Sequence, residues 1–387
     1  MDIQNMELRK FVAPEIVFGL DARLLAGRYA KNFGARKVLI VSDPGIISAG
    51  WLNEILDVLE GEGLSYEIYS NITPNPKEEE VIKGSKLYKN EECDAIIAIG
   101  GGSTLDCAKG IGIVSSNNRG ILEFEGVDKV YNPIPPLICI PTTAGSSADV
   151  SQFAIIMDQK RKVKLSIISK AVVPDVALID PITTTTMSNY LTTCTGLDAL
   201  THAIEAYVSN ASSPITDTHA LNAIRLISSS LAKTIDNPDD LGLRGNMMLG
   251  SLEAGLAFSN ASLGAVHAMA HSLGGFLDLS HGECNAILLD HVVDFNFDEE
   301  PMRYQNIGET IGINFCGMTK LEKKSAIVSE LKHLKESIGV DRTLKQIGVK
   351  ESDISQLSKN AMEDSCIVTN PRRPKQEDIE EIFKNAL

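Results

Sequence analysis

Two rhythms of apolar and polar positions divide the chain. Up to about residue 180, short runs that are apolar at nearly every position recur: KVLIVS (37–42), YEIY (66–69), DAIIAIG (94–100), LICIP (137–141) and VALID (176–180). Between them lie longer stretches whose apolar residues return every three or four positions, namely DARLLAGRYAKNF (21–33), WLNEILDVLEGEG (51–63) and STLDCAKGIGIV (103–114). A strand that is apolar on both faces has to be covered on both, and intervening helices supply the cover. The pattern therefore predicts a parallel sheet wrapped by helices. After Asp180–Pro181 a Thr-rich connection, PITTTTMSNYLTTCTG, leads into long helical patterns such as LDALTHAIEAYV and KKSAIVSELKHLKESIG, with hardly a β-rich run among them. We expect a Rossmann-like α/β domain over 1–180 and an all-helical domain over 181–387.

Composition narrows the function classes. A chain of 387 residues with 43% hydrophobic and 22% charged residues has enough apolar material for two sizeable cores. Its formal net charge of -15 argues against a nucleic-acid footprint, which needs clustered Lys and Arg. The seven cysteines are scattered and form no C-x-x-C pair, as expected of reduced thiols rather than a disulfide framework. MDIQNMELRKFV shows no secretory h-region and no apolar run approaches a membrane span, so a soluble, cytoplasmic protein without membrane or nucleic-acid partners is expected. The acidic runs KEEE (77–80) and FDEE (297–300) read as solvated surface.

Strand DAIIAI runs through Gly100, Gly101, Gly102 and Ser103 directly into a helix. Glycines allow a ligand to approach the backbone closely, and a helix N-terminus offers free N–H groups, so the turn suits a pyrophosphate. A plain tight turn explains it equally well, because Leu105 stands where a third glycine would complete G-x-G-x-x-G and no G-K-[ST] follows. Asp43, at the end of KVLIVSD, is placed to accept a ribose 2′-hydroxyl and to repel a 2′-phosphate, which favours NAD over NADP; an aspartate before Pro44 also suits a helix cap. A second polar loop, PTTAGSSAD (141–149), follows LICI and would set Thr142, Thr143 and Ser146 against the nicotinamide ribose and phosphates.

Four of the seven histidines fall in GAVHAMAHSLGGFLDLSHGECNAILLDH (264–291). A buried imidazole needs partners for both ring nitrogens, so such a cluster requires compensation. Asp198 and His202, four apart in GLDALTHAIEAYV, share a helix face, with Cβ atoms about 6 Å apart. His267 and His271 repeat the spacing, and Gly274 and Gly275 would let the chain end its helix and return to bring in His281. Three imidazoles and a carboxylate can converge on a first-row divalent ion with a position open to a substrate oxygen. Spacing alone leaves open which of His267 and His271 binds. His219, His291 and His333 read as structural or surface residues, and Cys284 as packing.

With these residues assembled, the chain resembles the iron-containing (group III) alcohol dehydrogenases, near the branch acting on 1,3-propanediol, methanol and other primary alcohols, with a dehydroquinate synthase-like architecture. The likeness runs nearly full length: FG at 18–19, GGGS-x-x-D-x-A-K at 100–109, PTTAG at 141–145, GLDALTHAIEAYVS at 196–209, AF-x-NA-x-LG-x-x-HA-x-AH-x-LGG at 257–275, HG-x-x-NA at 281–286 and NPR at 370–372. It implies Asp198, His202, His267 and His281 as ligands of Fe²⁺, with Zn²⁺ or another divalent ion possible. His271 would act beside the nicotinamide, and Phe258 would line the substrate pocket. Asp43, Gly101, Gly102, Ser103, Thr142, Thr143 and Lys164 would contact NAD(H). In place of the family's PTTAGTGSE this chain has PTTAGSSAD, with Ser147 at a permissive glycine, and Ser188 and Asp290 stand where proline is usual.

The expected activity is NAD(H)-linked interconversion of a primary alcohol and its aldehyde between the domains, in a homodimer or a larger assembly of dimers. The metal would serve as Lewis acid and His271 would relay the proton. The alternatives are a polyol dehydrogenase acting on glycerol or 1,3-propanediol, a dehydroquinate synthase-like lyase, and a non-catalytic NAD or metal binder. The lyase requires a basic lining, for which KRK (160–162) and RRP (372–374) are the available residues.

Overall fold

The computed structural model describes residues 8–340 and 342–387, so most of the stretch read for a leader lies outside the described residues. Six strands, β1 (Glu15–Phe18), β2 (Lys37–Val41), β3 (Ser65–Tyr69), β4 (Ala95–Gly100), β6 (Leu137–Pro141) and β9 (Val176–Ile179), form a sheet in the order β1-β9-β6-β4-β2-β3. Every pairing in it is parallel, with Val38 opposite Ala95 and Ile96 opposite Leu137. Period-two alternation splits each central strand between two cores. Leu39, Val41, Ile96, Ala98 and Cys139 face one layer, and Val38, Ile40, Ile97, Ile99 and Ile138 face the other. The covering helices are α1 (Ala26–Asn32), α2 (Pro44–Ala49), α3 (Trp51–Gly61), α4 (Glu78–Asn90) and α5 (Gly102–Asn117).

A second, three-stranded sheet joins β5 (Gly126–Val127) to the antiparallel pair β7 (Phe153–Asp158) and β8 (Val163–Ile168). Lys164 and Ser166 break the all-apolar pattern in β8, whereas β7, FAIIMD, is as apolar as the strands of the main sheet and was passed over in the sequence. The KEEE run is not all solvated: Glu80 is buried and accepts the Lys77 N–H at 3.0 Å and the Thr73 hydroxyl at 2.7 Å, closing the start of α4. The Thr-rich stretch is likewise only partly a connection, because Ser188 caps a helix that already begins at Asn189.

From there the chain is built of helices: α6 (Asn189–Val208), α7 (Pro214–Asp236), α8 (Leu241–Ala261), α9 (Ala265–Leu277), α10 (His281–Asn296), α11 (Pro301–Thr310), α12 (Lys320–Ser337), α13 (Ile354–Glu363) and α14 (Gln376–Ala386). Their apolar faces merge in one core, within which most of α6 and α9 is buried. Buried Asp290 on α10 pairs with Lys335 on α12, which gives the departure from proline a structural role. Arg23 donates to buried Asp180 at 2.5 Å and to Glu54 at 2.5 Å, tying α3 to the strand end that leads into the helices. Among the described residues no helix is long and apolar enough to cross a membrane. The cysteines are free thiols, all buried except Cys316.

Candidate active site

Strands β2, β4 and β6 are neighbours, so their carboxyl ends set Asp43, the glycine turn and the PTTAGSSAD loop side by side at one sheet edge. A cleft of about 1100 Å³ opens between that edge and α6, α8, α9 and α10. Asp43, Gly101, Gly102, Ser103, Thr142, Thr143 and Ser146 line the sheet edge, Asp198, His202, Phe258, His267, His271 and His281 line the helical side, and Lys164 lines the same cleft against α9. Every residue singled out from the sequence thus faces one space.

At the sheet end, α5 begins at Gly102 with no side-chain cap on its first turn. A Cβ on Gly102 would lie 2.7 Å from the Ser146 side chain, and one on Gly100 2.5 Å from the Thr104 hydroxyl. Those glycines let Ser146 and Thr104 pack directly on the turn, and the uncapped N–H groups at the start of α5 fit a pyrophosphate. The buried Thr142 hydroxyl has no protein hydrogen-bond partner there. Asp43 serves two purposes: one oxygen caps α2 through the Gly45 and Ile46 N–H groups at 2.9 and 3.2 Å, and the other accepts from Thr104 at 2.9 Å.

At the helical end, ligand atoms of Asp198, His267 and His281 lie within 4.8 Å of one another. The Asn285 amide nitrogen donates to Asp198 at 2.6 Å and lies 3.1 Å from His267 Nε2 and 3.3 Å from His281 Nε2. The Asn285 nitrogen thus stands among all three, so the Asp198 oxygen and the two Nε2 atoms converge on one point. His202 is not part of that trio. Its ring is stacked between Phe258 and His267, with centroids at 4.3 and 4.4 Å, and its buried Nδ1 has no partner. One carboxylate and neighbouring imidazoles are the donor set a first-row divalent ion takes.

The electrostatics agree with a cation site. Burial pushes His202 down to about 3 and His281 well below the usual imidazole value, while the Asp198 charge pulls the other way on both. Burial also works against charge on His267, but its bonds to Asp198 and Glu205 outweigh this and hold it up at about 9. Asp198 stays ionised against its burial because His202, His281 and His267 surround it. A proton therefore sits where a metal would displace it.

Several residues that shape the cleft were missed from sequence. Glu205, one turn beyond His202 on α6, accepts the His267 Nδ1–H at 2.6 Å and the backbone N–H groups of Gly264 and Val266 at 3.0 and 2.7 Å. It aims His267 by leaving Nε2 toward the trio. Its place on the same face as Asp198 was the available signal. Phe153 lines the cleft with its ring edge-on to Phe258 at 5.7 Å. Asp106 also lines it, and burial pushes its carboxyl up to about 7. Asn75 donates to Asp278 at 2.7 Å and its N–H reaches Ser103 Oγ at 3.3 Å, spanning the cleft mouth.

Two expectations change. Gly274 and Gly275 do not end α9, which continues to Leu277 and stops at Asp278 in the left-handed conformation. They admit β8 instead, since a Cβ at Gly275 would lie 2.8 Å from Val163 Cα and one at Gly274 2.8 Å from Lys164 Nζ. That close approach brings half-buried Lys164 into the cleft, where burial lowers its pKa. The altered loop is also accommodated. Ser147 holds φ at 51°, and its buried hydroxyl donates to the Ser251 carbonyl at 2.7 Å, which offsets the left-handed backbone.

Comparison with known proteins finds relatives over nearly the whole chain. The family model described as iron-containing alcohol dehydrogenase matches residues 13–181, and its C-terminal counterpart matches 192–387. The chain is 37% identical to 1,3-propanediol dehydrogenase of Klebsiella pneumoniae over 97% of this chain and 98% of that one. It is 38% identical to the NAD-dependent methanol dehydrogenase of Bacillus methanolicus over 97% and 99%. A crystal structure of a 1,3-propanediol oxidoreductase superposes with a TM-score of 0.95 at 36% identity, covering 98% of this chain and all of that one.

Proposed function

The chain belongs to the iron-containing alcohol dehydrogenase family, and from that premise we propose that this alcohol–aldehyde oxidoreductase acts on short, unbranched primary alcohols with NAD(H) as the hydride carrier. The observation that carries the proposal is the Asp198, His267 and His281 donor trio facing the bare glycine turn across a single cleft.

A metal held at the donor trio would supply Lewis acidity, and a nicotinamide held at the glycine turn would supply the hydride chemistry. Asp198, His267 and His281 would hold the metal. His202, one helical turn from Asp198, would complete the set from its stacked position. Gly101, Gly102 and Ser103 would receive the pyrophosphate, Thr142, Thr143 and Ser146 the adjoining ribose and phosphates, and Asp43 a ribose hydroxyl. Lys164 would reach the cofactor from β8, with its amine against Gly274 of α9. His271 Nδ1 is engaged by Asp364 at 2.9 Å, so Nε2 is the atom that takes the substrate proton on oxidation and returns it on reduction. Phe153, Phe258 and Leu263 would give the substrate a short apolar wall on one side of the cleft. That wall favours a monoalcohol over a polyol, because a second hydroxyl would be desolvated against it.

The polyol alternative draws support from the relative named for 1,3-propanediol. The lyase gains none, since Arg161 is engaged by Asp158 and Glu125 and Arg372 packs on Phe295, and neither lines the cleft. The decisive experiment is NADH oxidation with ethanal, propanal, butanal and 3-hydroxypropanal, comparing chelated protein with protein reloaded with Fe²⁺ or Zn²⁺. Metal-restored turnover that favours the simple aldehydes is expected. Turnover confined to 3-hydroxypropanal would select the polyol reading, and NADH binding without turnover on any metal would overturn the dehydrogenase mechanism.

A further inference from the structure

His271 has a partner that comes from the far end of the chain. Its Nδ1 lies 2.9 Å from Asp364 Oδ2, and Asp364 sits in the bend between α13 and the short 3-10 turn at Ser365–Thr369. The other Asp364 oxygen accepts the Cys366 N–H at 2.8 Å, so the carboxylate cannot swing without giving up a backbone cap. The same segment is anchored to the histidine helix a second time. Asn370 Oδ1 accepts the Ala265 N–H at 3.1 Å, at the first turn of α9.

The imidazole is confined on its other sides too. Its ring stacks on His281 at 5.1 Å with the planes 14° apart, and it meets His267 edge-on at 6.1 Å. Cys366 lies in the same cluster as His271 and Asp364. Burial keeps its thiol protonated, so Asp364 is the anion that His271 meets on this side. Burial opposes charge on Asp364 as well, but the charge and hydrogen bond of His271 outweigh it and hold the carboxyl below its ordinary value. A carboxylate only accepts hydrogen bonds. The imidazole nitrogen facing it must therefore carry the hydrogen, and the nitrogen left over points its lone pair elsewhere.

We infer that Asp364 is a positioning residue for the reaction: it fixes His271 in the tautomer protonated at Nδ1 and keeps Nε2 free toward the cleft. The inference rests on the dehydrogenase reading only for the use to which Nε2 is put, and it is tested separately from that reading. Without Asp364 both tautomers become available and the ring can rotate. A fraction of molecules would then present an N–H where a proton acceptor is required for alcohol oxidation.

The test uses the full-length protein loaded with zinc and labelled with ¹⁵N-histidine, comparing wild type with Asp364→Asn and Asp364→Ala. Wild type should show His271 protonated at Nδ1, and Asp364→Ala a mixture of tautomers. A wild-type His271 protonated at Nε2, or a tautomer unmoved in Asp364→Ala, overturns the inference whether or not the protein turns over. In steady-state alcohol oxidation kcat should fall about tenfold in Asp364→Asn, whose amide oxygen can still accept the bond, and about a hundredfold in Asp364→Ala. KM should stay within about twofold and the solvent deuterium isotope effect on kcat should rise, because proton transfer has become the slow step. Unchanged kcat and isotope effect, or kcat lost in proportion to bound metal, would show that Asp364 has no such role. A wild type without turnover would sink the dehydrogenase reading instead, and the nitrogen shifts would still decide this one.

Discussion

Glu205→Gln changes one oxygen to an NH₂ at a buried point where three donors meet. In the native protein one carboxylate oxygen accepts from Gly264 N–H and His267 Nδ1–H and the other accepts from Val266 N–H. The amide can accept on one side only. If its nitrogen faces Val266, that backbone N–H is orphaned in the core, and the loss is about 1–3 kcal/mol of folding stability. If its nitrogen faces Gly264 and His267 instead, the imidazole moves its hydrogen to Nε2 to relieve the clash, and the lone pair needed by the metal disappears. Either way the aim of His267 is loosened, and metal affinity should fall about 10–100-fold, the range for losing an orienting partner of a ligand histidine. The assay is competition with a chromophoric chelator for Zn²⁺ and Fe²⁺, read beside thermal unfolding of the chelated protein. Metal affinity and unfolding temperature both equal to wild type would refute the reasoning, because no arrangement of the amide satisfies three donors.

Three further outcomes follow from single contacts. Gly102→Ala should cost at least tenfold in NADH affinity, measured by fluorescence titration, because its methyl would sit 2.7 Å from Ser146 at the start of α5; unaltered affinity would remove the pyrophosphate from that turn. Ser147→Ala should destabilise the protein by about 1–2 kcal/mol in urea unfolding, since the left-handed backbone at φ 51° persists while the bond to Ser251 is lost, and Ser147→Gly should lose less. Buried Asp149 has its carboxyl pushed up to about 6 by burial, against an ordinary 3.8, so the folded state holds that proton more tightly than the unfolded state does. Its contribution is complete below pH 3.8 and is lost as pH rises through 6, about 3 kcal/mol in all. Asp149→Asn should flatten that part of the stability–pH curve, and an unchanged curve would assign the slope elsewhere.

The main sheet and the helix-rich second half were legible in the sequence, because burial on two faces demands unbroken apolar runs such as AIIAI and burial on one face demands a period near 3.6. The residues of the cleft were legible for a related reason. Polar groups such as His267, His271 and Asp198 stand out on segments that are otherwise apolar, and glycines stand out where a strand meets a helix. In the hairpin β7–β8 only β8 escapes that rule, since Lys164 faces the cleft and Ser166 interrupts the run; FAIIM in β7 obeys the rule and was passed over. Gly274 and Gly275 were misread because sequence shows that a Cβ is absent but not what occupies its place. Only packing reveals β8 there.

Local pattern therefore determined which segments become strands and helices and which polar residues are too expensive to bury without a purpose. Tertiary structure decided their partners. Glu205 reaches His267 across 62 positions and Asp364 reaches His271 across 93, and no periodicity encodes such distances. The physical reason is that a hydrogen bond depends on where two atoms come to rest, and that is fixed by the packing of α6, α9 and the chain after α13 against one core, not by the neighbours of either residue in sequence.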